Sequence, residues 1–113
     1  MFSHSFLAIV LFLMVAGCAS SGNSYPPDVP EKGTLVSQDD LAFSPKKLKV
    51  RVGEPIYFWN AETSVHNLVF DKRERSPNME AGDVFVWSFD TPGEYIVTCD
   101  YHPQMRLQIT VKP

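Results

Sequence analysis

From Thr34 onward, apolar and polar residues alternate in short runs that are typical of β-strands. Residues 47–52 alternate lysine or arginine with leucine or valine, and residues 106–112 repeat the same period of two. Aromatic residues occupy every second position of residues 85–89. Turn sequences such as Thr91-Pro92-Gly93-Glu94 separate the runs. The pattern predicts about seven short strands and no helix in this part of the chain.

Regularly spaced short strands predict an all-β fold, either an antiparallel sandwich or a barrel. Residues 66–70 are predicted to form one of these strands, and the polar residues 71–82 to form a loop that places Met79 at the surface. Trp59 and Trp87 are predicted to serve packing rather than electron conduction. Because a domain of this size buries a modest core, a bound metal would add materially to its stability.

A continuous apolar run of 11 residues lies near the N-terminus, at residues 6–16, and is too short to span a bilayer. It ends at Val15-Ala16-Gly17-Cys18, where small residues precede a cysteine as in the lipobox of bacterial lipoproteins. The pattern predicts a signal peptide over residues 1–17 and a lipidated Cys18 as the new N-terminus. Residues 1–5 carry no lysine or arginine, and an ordinary signal peptide or a buried hairpin is the alternative.

The segment that begins at Cys18 is rich in serine, glycine and proline. This composition predicts a flexible linker over residues 18–33, followed by one folded domain over residues 34–113. The net charge of −3 argues against nucleic-acid binding, which selects a clearly basic surface. Basic residues group at residues 46–51 and 72–75, and both groups are predicted to be solvated faces rather than binding patches.

Candidate metal ligands are concentrated in the sequence Cys99-x2-His102-x2-Met105, with His66 upstream. A thiolate, two imidazoles and a thioether form the ligand set of a mononuclear copper site for electron transfer. With Cys18 lipidated, Cys99 is a lone cysteine in an exported chain, and a bound metal would protect its thiolate. The alternatives are an inert buried cysteine at position 99 and a methionine at position 105 that only fills the core.

The residues around these candidate ligands resemble cupredoxins of the plastocyanin, amicyanin and pseudoazurin group. The shared pattern reads Phe43-x-Pro45-x2-Leu48-x-Val50-x2-Gly53-x2-Ile56-x-Phe58-x-Asn60, His66-Asn67 and Phe89-x2-Pro92-Gly93-x-Tyr95-x-Val97-x-Cys99-x2-His102-x2-Met105. The resemblance implies a cupredoxin-like antiparallel Greek-key β-sandwich of about seven to eight strands that binds one type 1 copper ion. It implies that His66, Cys99 and His102 bind the copper in a plane and that Met105 is a weak axial ligand.

The resemblance also implies a role for Asn67, the residue after His66. Its main-chain amide would donate to the Cys99 sulfur, and its side chain would join the two ligand loops; a plain turn residue is the alternative. Asp100 departs from the family pattern, which often has serine or threonine after the cysteine. We hypothesise that a carboxylate at this position lowers the reduction potential or makes it depend on pH.

These observations predict a monomeric, lipid-tethered carrier of single electrons between redox partners outside the cytoplasm. Partners would dock near His102, and four filled ligand positions argue against an enzyme. One alternative is a copper-handling lipoprotein, a chaperone or copper donor with the same site, and another is a structural sandwich with a vestigial site. Lipid on Cys18 would anchor the protein at the periplasmic or extracellular face of a bacterial membrane. Ala19 is compatible with the outer membrane if the cell is Gram-negative.

Overall fold

The computed structural model describes Pro26 and residues 28–113, which form nine β-strands. The strands are β1 (Thr34–Asp39), β2 (Ala42–Ser44), β3 (Lys47–Arg51), β4 (Ile56–Asn60), β5 (Val69–Phe70), β6 (Glu74–Arg75), β7 (Val84–Trp87), β8 (Gly93–Thr98) and β9 (Arg106–Lys112). Within these described ranges no helix has the length and hydrophobicity of a membrane span. The predicted signal peptide, Cys18 and the first part of the predicted linker lie outside the described residues.

The strands form two sheets whose inner faces share one core. The four-stranded sheet has the order β2-β1-β4-β7, and the five-stranded sheet has the order β3-β9-β8-β5-β6. Buried side chains from both sheets belong to a single hydrophobic cluster that includes Val36, Phe58, Val97 and Ile109. The predicted all-β sandwich is therefore confirmed.

Two strand pairs are parallel, so the expectation of an antiparallel sandwich is wrong for these pairs. β1 runs parallel to β4, and β3 runs parallel to β9. A parallel pair needs a connection that crosses over rather than a tight hairpin. Here the chain changes sheets between β2 and β3, which are separated only by Pro45 and Lys46. Alternation along a strand indicates which face is buried, but it carries no information on the direction of the neighbouring strand.

The region between His66 and Gly82 contains more pairing than its sequence predicted. Only the last two residues of the strand predicted at 66–70 are paired as β5, and the predicted loop at 71–82 contains β6. Asp71 and Lys72 turn the chain between these strands with φ angles of 50° and 63°. Two-residue strands are too short to show a period of two, which is why the total is nine strands rather than seven or eight.

Alternation along β4 places its side chains on two faces. Ile56, Phe58 and Asn60 are buried, whereas Tyr57 and Trp59 are half-buried. The buried apolar residues of β9 are Leu107, Ile109 and Val111. β4 and β9 lie in opposite sheets, so the core forms where the apolar faces of the two sheets meet.

An aromatic cluster packs against the first half of β8. Phe70 stacks on Trp87 with ring centroids 4.4 Å apart, and the Phe89 ring lies 4.2 Å from the Tyr95 ring. Aromatic pairs at these distances add to the stability gained from burying their area. Trp87 therefore makes the packing contacts that its sequence context predicted.

The contribution of the core to stability can be tested by making the same valine-to-alanine substitution at a buried and at an exposed position. Val97 in β8 is fully buried, whereas Val86 in β7 is 50% exposed. We expect Val97→Ala to lower the free energy of unfolding by about 2 kcal/mol, because it deletes two buried carbons and leaves a cavity. We expect Val86→Ala to change it by no more than about 0.5 kcal/mol. Urea denaturation of the metal-free protein measures both values, and equal losses would contradict the placement of Val97 in the core.

Candidate metal centre

Cys99, His102 and Met105 lie in the loop that joins β8 to β9. The two strands are paired as far as Thr98 and Arg106, which brings the ends of the loop together. Cys99 and Met105 are 2% and 1% exposed and belong to the hydrophobic core, while His102 is half-buried. The Met105 amide donates to the His102 carbonyl over 2.9 Å. The loop is therefore anchored in the core at both ends, with His102 between them.

His66 comes from a second loop, between β4 and β5. Its main chain pairs with that of Met79 in an isolated antiparallel bridge, through N–H···O bonds of 3.1 and 2.6 Å. Asn60 is fully buried at the end of β4, and its Nδ2 donates to the carbonyls of Ser64 and Met79 at 2.8 and 2.9 Å. Because these bonds connect the loop to the end of β4 and to the segment that contains Met79, they fix the loop with His66 fully buried.

Donor atoms of His66, Cys99 and His102 converge on one point. The two imidazole Nδ1 atoms are 3.1 Å apart, and Cys99 Sγ is 3.7 Å from His66 Nδ1 and 3.8 Å from His102 Nδ1. A point equidistant from three atoms at these separations lies about 2.1 Å from each, close to the lengths of metal–imidazole and metal–thiolate bonds. The three residues can therefore hold one metal ion. Together with Met105, this mixture of sulfur and nitrogen donors is suited to copper.

Glu62 orients the ring of His66. Its Oε1 lies 2.5 Å from His66 Nε2 and also accepts a hydrogen bond from the Leu41 amide at 3.2 Å. A proton on Nε2 leaves the lone pair of Nδ1 available to a metal. Partial burial opposes ionisation of Glu62, but hydrogen bonds from His66 and Leu41 outweigh it and lower the pKa of Glu62. The ionised carboxylate therefore holds His66 in the tautomer that a metal requires.

The two ligand loops are joined by hydrogen bonds between Asn67 and Asp100. Asn67 Oδ1 accepts from the Asp100 amide at 2.9 Å, and Asn67 Nδ2 donates to Asp100 Oδ2 at 2.8 Å. The carbonyl of Asn67 accepts from the buried side chain of Gln38 at 3.4 Å. Because Asn67 follows His66 and Asp100 follows Cys99, these bonds connect the segments that carry the donors. This is the side-chain contact that the resemblance implied for Asn67; a bond from its amide to the sulfur stays a prediction.

The Asp100 carboxylate is also paired with Arg75 of β6. Arg75 Nε donates to Oδ2 at 2.8 Å, and Nη2 donates to Oδ1 at 3.3 Å. Hydrogen bonds from Arg75 and Asn67 hold the pKa of Asp100 below its ordinary value, and the carboxylate raises the pKa of Arg75. The Asp100 carboxylate, which follows Cys99, is therefore ionised at neutral pH, and the Arg75 guanidinium balances its negative charge.

Met79 was placed wrongly by its sequence context, and Glu62 and Gln38 were missed. Met79 is 3% exposed and not at the surface, because its bridge to His66 draws this segment against the core. The spacing of four residues between Glu62 and His66 was an available signal. Gln38 lies two residues after the buried Val36 in β1, but its polarity concealed that it lies on the buried face.

Comparison with known proteins identifies relatives of this chain. A family model for the cupredoxin-like domain matches residues 5–111. Amicyanin of Paracoccus versutus is 26% identical over 91 residues, which cover 75% of this chain and 69% of the relative. Plastocyanin of Ulva arasakii is 32% identical over 83 residues, which cover 63% and 85%. The crystal structure of Paracoccus versutus amicyanin aligns with a TM-score of 0.70 at 25% identity, over 75% of this chain and 86% of the other.

Removal of the Glu62 carboxylate is expected to weaken copper binding. We expect Glu62→Ala to lower the affinity for Cu(II) about 10-fold or more, because the His66 ring loses the partner that fixes its tautomer and orientation. Competition with a chromophoric chelator measures the affinity. Glu62→Gln retains an acceptor for Nε2 and should lose less. Glu80→Ala should lose nothing, since its exposed carboxylate has no hydrogen-bond partner in the described part of the chain. Equal affinities of wild type and Glu62→Ala would contradict this role.

Proposed function

The chain belongs to the cupredoxin family, and from this membership we propose that it carries single electrons on one type 1 copper ion. The observation that supports the proposal most directly is the convergence of two imidazole nitrogens and a thiol sulfur at separations of 3.1 to 3.8 Å. We assign His66, Cys99 and His102 as the three close ligands and Met105 as the weak axial ligand. Copper, when bound, supplies the Cu(II)/Cu(I) couple.

The protein holds the proposed ligands through contacts with the rest of the fold. Cys99 and Met105 are fixed in the core, Glu62 fixes the ring of His66, and Asn67 connects the two ligand loops. Donors that are held by the surrounding structure move little when the charge of the metal changes. A small geometric change means a low barrier to electron transfer, which is the property that a carrier needs.

His102 is the proposed point at which electrons enter and leave. Among the four assigned ligands it alone is half-buried, whereas His66, Cys99 and Met105 are buried. It is flanked by exposed residues, including Tyr101, which is 50% exposed. A redox partner protein that docks here would come close to the metal without opening the core. Four ligands from the chain leave no open position for a substrate, which supports a carrier rather than an enzyme.

We further propose that the protein acts outside the cytoplasm, as a monomer anchored by lipid on Cys18. The support is the apolar run at residues 6–16 and the small residues before Cys18. A flexible linker over residues 18–33 would let the domain reach partners beside the membrane. The anchor would lie at the periplasmic or extracellular face of a bacterial membrane, and Ala19 is compatible with the outer membrane if the cell is Gram-negative.

Visible absorption during titration with Cu(II) tests the copper centre. We expect an intense charge-transfer band from thiolate to copper that ascorbate bleaches reversibly, and we expect Cys99→Ser to abolish it because an alcohol cannot replace the thiolate. Cys18→Ser is the matched control and should keep the band. A colourless protein that binds Cu(I) tightly would favour copper handling over electron transfer, and a protein that binds no copper would overturn both.

The same pair of variants tests the anchor. Wild type and Cys99→Ser are expected in the membrane fraction of cells that express the protein, because both keep the cysteine that would carry lipid. Cys18→Ser is expected to lose this fraction, since the lipid has no attachment site. Fractionation followed by immunoblotting measures the distribution, and identical distributions for the three proteins would contradict lipidation at Cys18.

A further inference from the structure

The Asp100 carboxylate accepts hydrogen bonds from two side chains, those of Arg75 and Asn67. Arg75 approaches it with two guanidinium nitrogens at 2.8 and 3.3 Å, and Asn67 Nδ2 lies at 2.8 Å. Two nitrogens of one guanidinium on the two oxygens of one carboxylate define both distance and orientation. The pair therefore places one full positive charge against the negative charge of the residue that follows Cys99.

Arg75 reaches Asp100 from the outermost strand of the five-stranded sheet. Arg75 lies in β6 and pairs with Val69 of β5. Val69 is two residues after Asn67 in the chain. The side chains of Arg75 and Asp100 are 52% and 41% exposed. Exposed ion pairs of this kind contribute little to the free energy of folding. The stability of the protein therefore does little to explain why Arg75 pairs with Asp100. Their charges can act on an ion in the adjacent site, because the carboxylate belongs to the residue that follows Cys99 and accepts a hydrogen bond from Asn67, the residue that follows His66.

We propose that Arg75 is a positioning residue that sets the reduction potential of the copper by neutralising Asp100. The inference rests on the proposed function, since it needs a copper ion at Cys99. A nearby negative charge stabilises Cu(II) relative to Cu(I) and lowers the potential, and a paired positive charge cancels most of that effect. Without Arg75, the carboxylate would act on the copper uncompensated. Without Asp100, the guanidinium would act in the opposite direction.

The experiment compares reduction potentials of the copper-loaded full-length protein by spectroelectrochemistry. We expect Arg75→Gln to lower the potential, Asp100→Asn to raise it, and the double variant to return it toward that of wild type. Arg75→Lys keeps the charge and should fall between wild type and Arg75→Gln. Arg73→Gln is the matched control, because it removes an exposed arginine two residues away whose side chain makes no hydrogen bond within the described residues. Its potential should stay closest to that of wild type.

Ionic strength separates a charge effect from a structural one. The shifts should be larger at about 0.01 M salt than at about 1 M salt, because the screening length falls from about 30 Å to about 3 Å. Shifts that do not depend on salt, or an Arg75→Gln potential equal to that of Arg73→Gln, would overturn the inference. If Arg75→Gln does not bind copper, Asp100→Asn decides the question, and an unchanged or lower potential overturns the inference. A wild-type protein without a reversible copper couple would instead overturn the proposed function, and this inference with it.

Discussion

The reciprocal hydrogen bonds between Asn67 and Asp100 are the connection on which the metal centre depends. Three assigned ligands come from one hairpin loop, but His66 comes from a loop 33 residues earlier in the chain. The bonds between Asn67 and Asp100 join the residues that directly follow His66 and Cys99. A single hydrogen bond contributes only about 1 kcal/mol to stability. Its importance here is geometric, because it fixes the separation of donors that belong to different loops.

The close approach of the donors links metal binding to the stability of the fold. Two imidazole nitrogens and a sulfur face one another at 3.1 to 3.8 Å in a site where Cys99 and His66 are buried. Lone pairs at these distances repel unless a proton or a cation lies among them, and burial reduces screening by water. The surrounding core, the bridge to Met79 and the Glu62 contact hold the donors in place. A bound metal would remove the repulsion, so metal binding and stability are linked in this fold.

The sequence predicted two kinds of feature well: candidate metal ligands, whose spacing is distinctive, and the buried faces of the longer strands. The spacing of Cys99, His102 and Met105 placed three candidate ligands in one loop, and the alternation along β9 identified its buried face. The sequence did not predict the parallel strand pairs, the strand β6 or the burial of Met79. They depend on which segments meet in space, and a polar two-residue strand has no hydrophobic period. The contact of Glu62 with His66 was only partly predictable. Their spacing of four residues is visible in the sequence, but such a spacing predicts a contact on a helix, and here the contact is made within a loop.

The centre separates the control of geometry from the control of charge. Asn60 and Gln38 are fully buried and hold the loops through main-chain carbonyls, so a change at either position would disturb packing and ligand placement together. Asp100 and Arg75 lie at the solvent-facing side of the same network and are about half exposed. Because exposed charges contribute little to folding, a substitution at Arg75 can alter the field at the metal while the buried scaffold and the bonds between Asn67 and Asp100 are kept. A single fold could then serve redox partners of different potential by varying its outermost polar residues, with the ligand set and the core kept the same.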